Sequence, residues 1–136
     1  MAPTITRFNQ TTKVATLTDA ATINIDCNLV EIGTLTLTQN CTIATPTGNP
    51  VEGQLLLLVI KSASSFTLTF DTGYEAASSL SFPSSTTGSN KIDKIGFRYS
   101  AVQGKWIFDA TTIGAYPTAS TGLSFAQTTA IAMLRL

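Results

Sequence analysis

The residues of this chain that could do chemistry are few, and their spacing does not favour it. No histidine occurs among the 136 residues. That removes the usual general base of serine and cysteine nucleophiles and the commonest zinc ligand. Cys27 and Cys41 lie too far apart for a C-x-x-C pair. Two reduced thiols packed as small apolar side chains are therefore expected, with a disulfide as the lesser alternative. Lys61 and Ser62 are sequence neighbours, but adjacent residues of a strand point to opposite faces, which defeats a Ser-Lys pair. The acids Asp19, Asp26, Glu31, Glu52, Asp71, Glu75, Asp93 and Asp109 are scattered singly. Glycoside hydrolysis needs two that face each other across a cleft, so these read as solvated strand ends and turn residues. Gly33, Gly48 and Gly53 read as turn glycines, with no P-loop, EF-hand or G-x-G-x-x-G pattern around them. Trp106 and the seven phenylalanines could line a sugar-binding face. On alternating strands, packing in a core is the stronger reading. The expectation is a protein that is not an enzyme and carries no cofactor or metal.

Composition points the same way. Eight basic residues balance eight acidic ones, and charged residues make up only 12% of the chain. Nucleic-acid binding needs clustered Lys and Arg to displace phosphate counterions, so that partner is not expected. A net charge of zero also leaves little repulsion between copies. The longest apolar run, Leu55 to Ile60, is six residues, against about 20 for a membrane-spanning helix, so no membrane partner is expected. The Met-Ala-Pro start lacks a basic region followed by an apolar stretch, as a secretory leader would have. A soluble chain made in a cytoplasm is the expectation.

The elements that must position these residues are strands. Hydrophobic residues reach 43%, and 24 Thr and 12 Ser put a small hydroxyl at 36 of 136 positions. Threonine is β-branched and favours strands, whereas serine favours turns. Period-two alternation marks residues 21–26 (ATINID), 34–38 (TLTLT), 66–70 (FTLTF) and 95–99 (IGFRY). Cys41 to Ala44 continues as a short strand or as the return limb after a turn at Gln39-Asn40. Residues 46–50 (PTGNP) form a loop. The unbroken run at 55–60 predicts a central strand covered on both faces. One face would meet the core and the other a second sheet or another subunit. Val102 to Lys105 is a hairpin turn that returns the chain into Trp106-Ile107-Phe108. No internal repeat is evident. The pattern predicts an all-β fold, an antiparallel β-sandwich or jelly-roll-like single domain over residues 21–112. Extended arms flank it at 1–20 and 113–136, and the segment 1–20 could instead hold a first edge strand. The C-terminal arm carries Leu123, Phe125, Ile131, Met133, Leu134 and Leu136. Such an apolar end either folds onto its own core or reaches a partner.

One combination of segments is familiar: 21–26 (ATINID), 33–43 (GTLTLTQNCTI) and 46–61 (PTGNPVEGQLLLLVIK). It continues through 66–70 (FTLTF) and 92–99 (IDKIGFRY), with Gly104 and Trp106 after them. This resembles a β module of tailed-bacteriophage virion proteins, with Phe70 where the module often has tryptophan and Cys41 where it usually has a polar residue. The resemblance implies a structural, non-catalytic role, usually as a homotrimer. Proteins of this type decorate heads or form parts of tail fibres. A small chain with apolar-tipped arms looks more like a head decoration (cement) protein. Its partners would be the major capsid protein and itself, and its location the capsid surface of the virion. The six apolar residues of the C-terminal arm would then dock on capsid or on a neighbouring subunit. The alternative is a tail-fibre or baseplate tip that binds host surface glycans through loop 75–90, with Tyr74 and Phe82.

Overall fold

The structure is a computed structural model and describes residues 12–112. These residues are all-β, with no helix among them. The strands are β1 (Val14–Thr16), β2 (Thr22–Ile23), β3 (Ile32–Leu37), β4 (Cys41–Ile43), β5 (Leu55–Ser62), β6 (Leu68–Phe70), β7 (Tyr74–Glu75), β8 (Lys91–Ser100) and β9 (Lys105–Thr112).

The chain does not fold as the expected antiparallel sandwich. Its first six strands alternate between two sheets, so that β1, β3 and β5 lie side by side and β2, β4 and β6 lie side by side, all in parallel register. This is a coil of three turns, each contributing one strand to each sheet. Only the second half is antiparallel. Strand β8 pairs with β5, β9 returns against β8, and β7 adds in parallel to β9. The sheets are thus a mixed six-stranded one, in the order β1-β3-β5-β8-β9-β7, and a parallel three-stranded one, β2-β4-β6. The alternation at 34–38 and 41–43 correctly marked strands. The turn at Gln39-Asn40 does not fold them onto each other but sends the chain from one sheet to the other.

Stacking of successive turns creates the core. Leu17 lies over Leu35, which lies beside Ile60, and Ile23, Ile43 and Phe70 form a second ladder from the other sheet. Val14 sits opposite Ile32 and Thr16 opposite Thr34. Successive turns are offset by 18 residues in one sheet, from β1 to β3, and by 20 in the other, from β2 to β4, a spacing that the sequence reading overlooked. The reason is that the step lengthens to 25 between β3 and β5, where the Pro46–Pro50 loop is inserted. Residues Val14–Thr16 form an edge strand and Leu17 is buried. The folded body therefore starts within the segment 1–20 assigned to an arm, and 113–136 lies outside the described residues.

The run at 55–60 is the central strand β5, as its unbroken hydrophobicity predicted. Leu56, Leu58 and Ile60 enter the core, while Leu55, Leu57 and Val59 face the other way. The far side of the core is aromatic. Phe97 is fully buried among Phe70, Tyr74, Phe82 and Phe108, with ring centroids 4.8 to 6.3 Å away.

Candidate functional site

Several of the residues that suggested chemistry have a structural task here. Lys61 is exposed and Ser62 buried, on opposite faces of β5. Asp19, Asp71 and Asp93 each accept hydrogen bonds from both the backbone N–H and the Oγ1–H of one threonine, namely Thr38, Thr45 and Thr87. Each pair is a clamp between segments distant in the chain or across a loop. The Asp19 clamp ties the first turn to the second, and the Asp71 clamp ties the second to the third. Asp71 also accepts the N–H of Thr72, and these bonds hold its carboxyl below the usual carboxylate range. The Asp93 clamp is different in being buried. It fixes the loop that closes the coil.

The thiols of Cys27 and Cys41 are free and buried. Burial pushes the Cys41 thiol up to about 11, with Asp19 adding to the effect, and burial chiefly raises Cys27 as well. Both are therefore protonated and unreactive at neutral pH. Trp106, Phe97 and Phe108 are core residues rather than a sugar platform. Of the two aromatics named for glycan binding, Tyr74 is in the core and Phe82 is half-buried against it. Tyr74 is buried with its hydroxyl donating to the Ala44 carbonyl at 3.0 Å, and Phe82 stacks on Phe70 at 5.0 Å. The sequence could not show this, because aromatics in a long loop look the same whether they anchor the loop or decorate it.

Two surfaces remain as candidates. The first is the outer face of the six-stranded sheet. Alternation places Ile32, Leu55, Leu57, Val59 and Ile107 there, and Ala110 joins them because Asp109 is the extra residue at the register shift beside Gly96 and Phe97. Leu57 is the best covered of these, flanked by Ile32 and Gly96, and the others are half-buried. Arg98 and Asp109 pair at 3.4 Å at one border of the band. A sheet with apolar residues on both faces normally has a second layer over each.

The second is an open groove of about 580 Å³ beside the Pro46–Gly53 loop. Its walls include Lys13, Asn28, Glu31, Asn49, Val51 and Gln54. Most of its polar groups hold the loop itself. Lys13 Nζ donates to the Asn28 carbonyl at 3.0 Å, Asn49 N–H donates to Asn28 Oδ1 at 3.0 Å, and Gln54 Nε2 donates to the Cys27 carbonyl at 2.9 Å. Sequence reasoning read Gly53 as a turn glycine and singled out Gln54 only as part of a resemblance. Their physical role is to place the entry of β5, with Gly53 N–H donating to the Tyr99 carbonyl and Tyr99 N–H to that of Gln54. Leu123, Phe125, Ile131, Met133, Leu134 and Leu136 lie outside the described residues. The chain matches no protein-family model and no curated protein.

Proposed function

We propose that this chain is a structural virion protein of a tailed bacteriophage, a capsid decoration (cement) protein. It is made in the host cytoplasm and bridges major capsid protein subunits as a homotrimer. The observation that carries the reading is the apolar outer band of the six-stranded sheet, centred on Leu55, Leu57 and Val59. Such a band suits burial against another protein. The mechanism is mechanical. A packaged genome pushes shell subunits apart, and a trimer spanning several of them opposes this with buried apolar area, at about 25 cal/mol per Å² before association costs. Three weak arms tipped by residues such as Leu134 and Leu136 act together through effective concentration. Contacts of this kind respond little to salt, in keeping with the zero net charge.

Light scattering at micromolar concentration tests the assembly. A trimer is expected, reduced to monomer by Leu57→Asp, and a clean wild-type monomer overturns the trimer. Removal of residues 123–136 is expected to leave a folded domain that no longer binds capsids, and particles lacking the protein should release DNA at lower temperature. Unchanged release counts against the decoration role. The alternative, a tail-fibre tip that takes a host glycan, is favoured by one observation, the open polar groove beside the Pro46–Gly53 loop. Saccharide binding lost in Asn28→Ala would select it.

A further inference from the structure

Opposite charges stand at the two ends of β5. Alternation places Leu55, Leu57, Val59 and Lys61 in one row on its outer face. Lys61 is exposed, and Lys91, paired with Ser62 across the sheet, is exposed at the same end. At the other end, Leu55 belongs both to the apolar band and to the wall of the groove that holds Glu31 and Glu52. Glu52 is exposed and Glu31 half-buried. The cations nearest the groove are already engaged, since Lys13 Nζ donates to the Asn28 carbonyl and Arg98 pairs with Asp109. Glu52 uses one oxygen to accept the Ala101 N–H. Among the described residues, the side chains of Glu31, Lys61 and Lys91 have no hydrogen-bond or ion-pair partner.

The two ends do not neutralise each other within one chain. From Leu55 to Lys61 the strand rises about 20 Å, against a screening length of about 8–10 Å in physiological salt. A second copy supplies what each end lacks. We propose that protomers of the trimer meet head to tail, with Lys61 and Lys91 of one set against Glu31 and Glu52 at the groove of the next. This rests on the reading that the band joins copies into a trimer, and adds their relative direction. A patch that meets itself about a two-fold axis closes as a dimer, whereas contact between two different surfaces generates a ring. The ends of β5 are two such surfaces, joined by the band that covers the distance between them. The band supplies the buried area. Exposed ion pairs add little affinity but fix order and orientation, so assembly still responds little to salt.

Sedimentation velocity of the full chain over a concentration series tests the arrangement. One end is reversed by Glu31→Lys with Glu52→Lys, the other by Lys61→Glu with Lys91→Glu. Either reversal brings like charges together and should raise the concentration at which half the chains are trimeric by about tenfold. Both reversals in one chain should restore the wild-type value. Mixing the two single-end variants should not, because three positions in a ring cannot alternate between two kinds of chain. Trp106 fluorescence checks that each variant is folded. If the glutamate reversal unfolds the chain, Glu31→Gln with Glu52→Gln should show the same weakening at a smaller size. A wild-type monomer removes the trimer reading and this proposal with it. A wild-type trimer that neither reversal weakens, that the combined variant fails to recover, or that mixing restores overturns the head-to-tail arrangement alone.

Discussion

The first and third turns of the coil share a plan but differ in how they are finished. In the first turn, β1 and β2 present sheet edges that no described strand covers, and Val14 is 60% exposed. In the third, every side is occupied. Strand β8 covers β5 along all eight of its residues. The outer edge of β6 is taken by the loop through Ser84–Thr86, where Leu68 N–H donates to the Ser84 carbonyl and Thr86 N–H to that of Phe66, both at 2.9 Å. The same loop crosses the Ser64 backbone at Gly88, whose φ of +82° would strain any other residue and whose missing Cβ would sit 2.8 Å from Ser64 C. The aromatic cluster around Phe97 belongs to the end closed in this way.

The sharpest way to break this comparison is to truncate the aromatic cluster and then the Leu17–Leu35–Ile60 ladder at its three heights. Phe97→Ala, at the closed end, is expected to cost about 3–5 kcal/mol in urea unfolding. Ile60→Ala, Leu35→Ala and Leu17→Ala fall within about 2–5 kcal/mol and should decrease in that order, as exposure rises from 0% through 3% to 9%. Equal costs would erase the gradient between the ends.

The aspartate clamps give a second, smaller contrast. Asp93→Ala leaves the Thr87 donors without their acceptor in a buried site and should cost about 1.5–3 kcal/mol. Asp19→Ala makes the same deletion where water can replace the carboxylate, and should cost about 0.5–1.5 kcal/mol. Chemical denaturation of the pair measures the ratio.

Glycine contacts sharpen it further. A Cβ at Gly73 would lie 2.2 Å from Thr45 Cγ2, a side chain already held by the Asp71 clamp and by the Gly73 N–H. A Cβ at Gly33 would meet Leu17 Cδ1 at 2.7 Å, the end of a flexible chain in the loosely finished turn. Gly73→Ala is therefore expected to cost about 1–3 kcal/mol, and Gly33→Ala less.

The smallest effects are in pH. The raised Cys41 thiol contributes stability that is fully present below its ordinary 9.0 and lost as pH rises through about 11. Tyr74, raised by burial, adds to the same alkaline loss, so the difference between wild type and Cys41→Ala isolates the thiol. The lowered carboxyl of Asp71 acts in the opposite direction. Its contribution is present above its ordinary 3.8 and lost as pH falls through the depressed value. An alkaline limb unchanged by Cys41→Ala would contradict the first assignment.

Much of this molecule was determined by local chemistry alone. Thr and β-branched content chose strands, alternation located residues 21–26, 34–38, 66–70 and 95–99, and the unbroken run at 55–60 marked the strand covered on both faces, because period-two burial leaves its imprint residue by residue. Glycine 104 in its turn announced the β8–β9 hairpin. Partner choice was decided only in three dimensions. A strand's alternation says which side chains are buried but nothing about whether its neighbour runs parallel or antiparallel, so a coil with steps of 18 and 25 residues looks like a meander. The same holds for surface and core. Tyr74 and Phe82 lie in or beside a loop by sequence, yet ring packing against Phe70 and Phe97 puts Tyr74 inside and holds Phe82 half-buried against the core. Asp19 and Asp71, single acids that looked merely solvated, become clamps once the coil brings a threonine from the neighbouring turn to each of them.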